Sequence, residues 1–171
     1  TPGFPAAAFA ADVNGRTVEL DGATNGAVEI IAGETATVDI EVGATAISQT
    51  GNDQIAIMVT DKNGNNVLTD DSIDGVTGAG ANPGFEGADS DWGPAYWIRN
   101  ANANATVKVP ITFPADGVYT VKAVKYTTGT FDATKATTVG TVTVYDKDTV
   151  AGYSYYGVME NSQIQKTAEV A

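Results

Sequence analysis

The sequence predicts an all-β fold in which two sheets pack face to face as a β-sandwich. Two patterns carry this prediction. Apolar and polar residues alternate with a period of two over most of the chain, which is typical of half-buried strands. Turn residues such as Gly, Asn and Asp separate these alternating segments at short intervals. The 171 residues are enough for one domain with a continuous core.

Eight segments have the strand pattern: Arg16–Leu20, Ala27–Ile31, Thr35–Val42, Gln54–Asp61, Asn66–Thr69, Ala105–Phe113, Gly117–Tyr126 and Thr137–Tyr145. The third segment alternates most regularly, and its apolar residues are predicted to face the core. In the last segment, the same alternation places Val139 on the face opposite Val142 and Val144. An Asn-Gly step at residues 63–64 predicts a hairpin turn after the fourth segment.

One motif narrows the type of sandwich. The stretch Asp116-Gly117-Val118-Tyr119-Thr120-Val121 resembles the tyrosine-corner region of immunoglobulin-like domains. The resemblance implies a largely buried Tyr119 whose hydroxyl bonds to the backbone near the preceding turn. The Cys–Trp–Cys pattern of antibody domains is absent, so the prediction includes both an immunoglobulin-like and a jelly-roll sandwich.

Composition excludes several function classes. The chain has no Cys and no His, so it can form no disulfide, no thiolate metal site and no His-activated nucleophile. It has 9 Lys and Arg against 21 Asp and Glu, a net charge of −12 that opposes binding to nucleic acid. No apolar run is long enough to span a membrane. No pair of carboxylates marks a catalytic cleft, and we expect no enzyme.

The first residues form a separate feature. We predict an N-terminal extension at residues 1–11, followed by a single sandwich domain at residues 12–171. The stretch Phe4–Ala11 carries no charge and is apolar on both faces of a strand, which suits the interior of a sandwich. The residues expected to contact a partner subunit are Phe4, Ala6, Ala8, Phe9 and Ala10.

A family resemblance follows from the start Thr1-Pro2-Gly3-Phe4, the apolar stretch through Ala11 and the Thr-, Val-, Ala- and Gly-rich sandwich without Cys or His. The chain resembles subunits of archaeal extracellular filaments, the bundling pili related to the TasA biofilm fibre. This resemblance implies secretion through a signal peptide, which agrees with a first residue other than Met. It also implies that a terminal strand is donated to the next subunit.

We therefore expect a structural subunit of an extracellular filament at the cell surface, serving adhesion or biofilm formation. Its partners would be identical subunits and neighbouring filaments. Two other classes agree with the same composition: a carbohydrate-binding or adhesin module, and a subunit of an S-layer or other surface lattice. The C-terminal run Ile164–Val170 is the alternative donor strand.

A long segment between the fifth and sixth strands, Asp70–Pro94, has no periodicity and is rich in carboxylates. With the backbone it could hold a hard cation such as calcium, although a solvated acidic loop is the favoured interpretation. The candidate ligands are Asp70, Asp71, Asp74, Asp89 and Asp91, with Glu86 in the same segment. No other cofactor is expected.

Three smaller motifs also suggest binding or modification sites, and the first two have a structural alternative. Trp92, Tyr96 and Trp97 suit either a sugar-stacking platform or burial in the core or in an interface, and we favour burial. The spacing of oxygen side chains in 61–65 is similar to a calcium loop, but a plain turn is favoured. Asn104 begins a glycosylation sequon, Asn-Ala-Thr.

Overall fold

The computed structural model describes residues 10–51, 53–90, 93–126 and 135–148. Its strands are β1 (Ala11–Val13), β2 (Arg16–Leu20), β3 (Ala27–Ile31), β4 (Thr35–Glu41), β5 (Ile55–Thr60), β6 (Gly84–Glu86), β7 (Ala95–Ile98), β8 (Thr106–Thr112), β9 (Gly117–Lys125) and β10 (Thr137–Tyr145). A 3-10 turn spans Asp70–Ser72. Within these ranges, no helix has the length and apolar character needed to cross a membrane.

The strands form two sheets that pack as a sandwich, as predicted. One sheet has the order β1-β2-β4-β8, and the other has the order β3-β10-β9-β5-β7-β6. All pairs are antiparallel except β3 with β10. Placing β4 beside β8, and β10-β9-β5 in the opposite sheet, is the B-E and G-F-C pairing of immunoglobulin-like sandwiches. The pairing therefore favours this type over a jelly roll, with β7 and β6 widening the second sheet.

The core lies between the two sheets, where the predicted alternation brings together apolar side chains. In β4, Ala36, Val38 and Ile40 are buried, and in β8 every second residue from Val107 is buried. Burying a Val or Ile side chain stabilises the fold by about 1.5–3 kcal/mol. Strand β5 is buried on both faces, because a small second cluster that includes Trp97 covers its outer face.

Strand β10 departs from the predicted alternation. Its pairing with β9 shifts register between Thr138 and Gly140. Val139 and Val142 therefore both lie in the core, with exposed fractions of 1% and 0%, and the prediction that they occupy opposite faces is wrong. A bulge inserts one residue into a strand and so reverses the phase of the alternation beyond it. A Cβ on Gly140 would collide with the Gly26 carbonyl, so this close approach requires glycine.

The other differences between the predicted and the observed strands are three short strands that were missed and one segment that was wrongly predicted to be a strand. The segment Asn66–Thr69 is not a strand, and only an isolated bridge joins Asn66 to Thr60. Strands β1, β6 and β7 have three or four residues each, too few to show a period of two.

The segment predicted as an irregular loop covers a sheet edge. Thr77 and Lys108 exchange backbone hydrogen bonds of 3.1 and 2.9 Å along the outer edge of β8. A second bridge joins Ile73 to Ile111. An exposed strand edge is a template for indiscriminate pairing, so this segment protects β8.

The N-terminal boundary lies slightly earlier than predicted. Ala11, assigned above to the extension, pairs with Val18 and is buried as part of β1. The turn from β1 to β2 has positive φ at Asn14 (56°) and Gly15 (77°), the geometry of a two-residue hairpin. Ala10 is half-buried just before β1. The other predicted donor residues, Phe4, Ala6, Ala8 and Phe9, lie outside the described residues, as does the run Ile164–Val170.

Candidate functional site

An apolar groove opens between the two sheets at the end where β8 leads into β9. We call it the corner groove and define it by Val59, Leu68, Ile111, Phe113 and Tyr119. Its volume is about 240 Å³. The other lining residues are Asp61, Val67, Thr69, Ser72, Thr112 and Pro114.

The groove exists because the chain after β5 crosses this end of the sandwich instead of pairing as a further full strand. Val59 at the end of β5 and Ile111 at the end of β8 form its floor, with exposed fractions of 1% and 2%. The crossing segment is held by a backbone hydrogen bond from Val67 to Val59 (2.9 Å). A hydroxyl contact of 2.7 Å between Thr69 and Ser72 fixes its next turn.

Tyr119 forms one wall of the groove. Its hydroxyl donates to the Ala115 carbonyl at 3.1 Å, so the predicted tyrosine-corner bond is present. Its ring packs against Phe113 with centroids 5.2 Å apart. The side chain is half-buried rather than largely buried as predicted, because the ring lines the groove. Partial burial raises the pKa of Tyr119, and the carboxylates of Asp116 and Asp61 raise this pKa further.

Asp61 stands at the rim of the groove and organises the turn that follows β5. Its carboxylate accepts the backbone N–H groups of Asn63 (2.8 Å) and Asn65 (3.0 Å). The bond from Asn65 is the main cause of the lowered pKa of Asp61. The 61–65 segment is thus a turn held by its own aspartate, which agrees with the favoured interpretation.

The structure does not bring the predicted calcium ligands together. Asp70 and Asp71 are exposed in the 3-10 turn, and Asp74 and Asp89 are exposed elsewhere in the segment. Asp91 lies outside the described residues. Glu86 pairs with Arg99 at 2.7 Å. Over the part of the chain that the structure describes, no three carboxylates form a group that could hold a metal ion, and calcium binding stays a prediction.

The predicted sugar-stacking platform is not formed by its two described members. Tyr96 and Trp97 are neighbours in β7, and successive strand residues point to opposite faces. Tyr96 packs against the main core, and Trp97 is 3% exposed in the outer cluster. Trp97 is therefore buried, as the favoured interpretation expects, whereas Tyr96 is half-buried. Trp92 lies outside the described residues.

Asn104 lies on the surface, in the turn before β8. It is exposed and has a φ of 62°, a left-handed conformation that Asn tolerates. The sequon's Thr106 donates to Glu41 at 3.0 Å. The asparagine is accessible, and its glycosylation stays a prediction.

A buried arginine was not singled out from the sequence. Arg16 is 4% exposed, and its guanidinium donates to the carbonyls of Thr45 (2.8 Å) and Ala46 (3.1 Å) and lies 3.7 Å from Asp53. It attaches the 43–53 loop to β2. Its burial could have been predicted from the sequence, because alternation in β2 places Arg16 on the same face as the apolar Val18.

Comparison with known proteins does not assign the chain to a family. No protein-family profile and no curated protein matches the chain. Among solved structures, the chain has a weak similarity to a family 123 glycoside hydrolase from Clostridium perfringens, studied for glycolipid glycan hydrolysis. Identity is 9% and the TM-score is 0.37, over 86% of this chain and 33% of that one.

A second similar chain comes from a structure concerned with T cell specificity and activation by the bacterial superantigen toxic shock syndrome toxin-1. Identity is 10% and the TM-score is 0.36, over 77% of this chain and 100% of that one. The 171 residues span about a third of the length of the first of these two, the glycoside hydrolase. Likenesses at this level carry no argument about function.

Proposed function

We propose that the protein is a structural, non-enzymatic subunit of an extracellular filament, in which the N-terminal segment of one copy inserts into the corner groove of the next. The observation that carries the proposal is the corner groove itself, an apolar cleft between the sheets. The extracellular location at the cell surface, and a role in adhesion or biofilm formation, rest on the family resemblance of the N-terminal sequence.

The size and lining of the groove suit an aromatic side chain. A cavity of about 150 Å³ lined by Leu, Ile and Phe stays dry and binds benzene. The corner groove has an apolar floor with a polar rim and a volume of about 240 Å³, so it can admit the ring of Phe4 or Phe9. Burying one Phe side chain would contribute about 1.5–3 kcal/mol to the contact.

The placement of donor and groove allows contact between copies. The N-terminal segment precedes β1 at one edge of the four-stranded sheet, and the groove lies beside β8 at the other edge. Strands β2 and β4 lie between them, so the two edges are about 14 Å apart at the usual strand spacing. A donor at one edge and an acceptor at the opposite edge make a heterologous contact, which extends into a filament unless it happens to close a ring.

Two of the four sheet edges, those of β3 and β8, offer poorer places for strand addition than the groove. At the edge of β3, Ala27 exchanges backbone hydrogen bonds of 3.0 Å with Thr24, and Ile31 is paired with Glu34. The edge of β8 is covered by the 73–79 segment. These contacts occupy backbone groups that an added strand would need, so they favour the groove as the acceptor.

Deletion of residues 1–9 tests the proposal. The truncated protein keeps β1, so we expect an unchanged β-rich circular-dichroism spectrum and a monomer in analytical ultracentrifugation. Full-length protein should form filaments of constant diameter in electron microscopy. Filaments of normal length from the truncated protein would contradict the proposal.

A matched truncation serves as the control. Removal of residues 149–171 deletes the alternative donor and should leave filament formation intact. Loss of filaments in that variant alone would identify the C-terminal run as the donor. A full-length protein that stays monomeric and binds polysaccharide would instead support a binding or adhesin module, and flat two-dimensional arrays would support a surface lattice.

A further inference from the structure

A second cavity, of about 290 Å³, lies at the end of the sandwich opposite the corner groove. It is formed by the loop before β5, by β6 and β7, and by the end of β9. We call it the polar pocket and define it by Gln49, Gln54, Glu86, Trp97, Arg99 and Tyr126. It shares no lining residue with the corner groove.

A fixed ion pair crosses one wall of the polar pocket. The Arg99 guanidinium donates to Glu86 at 2.7 Å and to the Asn82 carbonyl at 3.0 Å. A Cβ at Gly84 would stand 3.1 Å from the guanidinium, so a side chain there would crowd the arginine where it lies over β6. The pair is partly accessible, with side-chain exposures of 21% for Arg99 and 33% for Glu86.

The amide side chains of the pocket are also held in place. Gln49 accepts the side-chain amide of Asn82 at 2.9 Å through its own side-chain oxygen. Its backbone carbonyl accepts the side-chain amide of Gln54 at 3.0 Å, and its backbone N–H donates to Asn100 at 3.3 Å. Side chains that are fixed before a ligand arrives lose little entropy on binding.

Two aromatic residues complete the wall. The rings of Trp97 and Tyr126 meet edge to face, with centroids 6.0 Å apart and planes at 82°. Trp97 is buried and supports Tyr126, which is half-buried at the pocket. A supported aromatic ring is a surface against which the C–H face of a sugar can pack.

The charge and hydrogen-bonding character of the pocket select one ligand chemistry. An anion would meet Glu86 and a protein of net charge −12, and a cation would meet Arg99. An apolar ligand would desolvate these polar groups without replacing their hydrogen bonds to water, which disfavours its binding. A hydroxyl both donates and accepts, so neighbouring hydroxyls can satisfy the carboxylate, the guanidinium and the amides together.

We propose that the polar pocket binds one neutral sugar ring, with Glu86, Arg99 and Gln54 contacting its hydroxyls and Tyr126 contacting its face. This site goes beyond the proposed filament function and does not depend on it. The volume exceeds the roughly 150 Å³ that holds a benzene ring, which leaves space for hydroxyl substituents. At the binding energy per heavy atom that is usual for small ligands, a hexose of about 12 heavy atoms would bind with a Kd on the order of 1 mM.

Isothermal titration calorimetry of the full chain tests the site, because it works on monomers and filaments alike. The probes are D-glucose, D-galactose and D-mannose, with D-glucuronate as the charged comparison. We expect at least one neutral hexose to bind with a Kd on the order of 1 mM and glucuronate to bind more weakly. Absence of heat for all three neutral sugars, or tighter binding of glucuronate, would overturn the proposal.

Three variants locate the binding. Glu86→Gln and Gln54→Ala should each weaken binding about tenfold, because the first removes the charge that strengthens a hydrogen bond from the sugar and the second removes a hydrogen-bonding side chain. Glu29→Gln removes the same charge from an exposed position on β3 and should leave the affinity unchanged. Gln54→Ala keeps the ion pair, so it tests the pocket even where Glu86→Gln disturbs β6. Unchanged affinity in both pocket variants would show that the sugar binds elsewhere.

Discussion

Replacing Tyr119 by Phe isolates the hydrogen bond of the tyrosine corner, because the ring and its contact with Phe113 are kept. A net intramolecular hydrogen bond contributes about 0.5–1.5 kcal/mol. Ala115 is exposed, so water can replace the lost donor at its carbonyl and no burial penalty is added. We therefore expect the free energy of unfolding to fall by about 0.5–1 kcal/mol.

The assay is urea unfolding followed by circular dichroism. The midpoints are compared provided that the free energy of unfolding depends on urea concentration with the same slope in each variant. Tyr145→Phe is the matched control, because Tyr145 is 41% exposed and should change stability by less than about 0.5 kcal/mol. Equal midpoints for the two variants would refute the role given to the corner bond.

The pH dependence gives a second readout for the same residue. The folded-state pKa of Tyr119 is raised above its ordinary value of 10.0, so its contribution is fully present below that pH. The contribution is lost as the pH rises through the folded-state pKa. The stability difference between wild type and Tyr119→Phe should therefore shrink in alkaline solution. A difference that grows with pH would contradict the direction of the shift.

Three other substitutions test the core and its ion pairs. The free energy of unfolding of each variant is compared with that of wild type from the midpoint of urea unfolding. Gly140→Ala should destabilise by about 1–3 kcal/mol or more, because the new methyl group meets the Gly26 carbonyl; a neutral result would show that β10 can shift. Arg16→Met should cost about 3–5 kcal/mol, since it leaves carbonyls and Asp53 without their buried partner. Lys108→Met should cost less than Arg16→Met, because the lysine itself is 48% exposed, although it leaves the mostly buried carboxylate of Asp39 without its partner at 2.9 Å; equal costs for the two would refute this ranking.

The alternation of side chains is a local property, and it was sufficient to predict most strands. Strands β2, β3 and β10 have the predicted bounds, and β4, β5, β8 and β9 differ by one or two residues at their ends. The corner bond of Tyr119 was also predicted, because its donor and acceptor lie four residues apart in the chain. Short-range geometry of this kind is set by neighbouring residues.

The candidate sites depend on contacts that no local pattern encodes. The corner groove joins Val59, Leu68 and Ile111, which come from separate strands and a crossing segment. The polar pocket joins Gln49 to Arg99 and Tyr126 in the same way.

The sequence by itself determined the sandwich class, the faces of the long strands other than β10, and the absence of any Cys or His chemistry, because these follow from periodicity and composition. Only the tertiary structure decided which strands are neighbours, where β10 bulges at Gly140, and which side of β7 buries Trp97. The reason is physical: the pairing of distant segments is selected by packing the whole core at once, and a bulge or crossing segment arises where that packing overrides the local pattern.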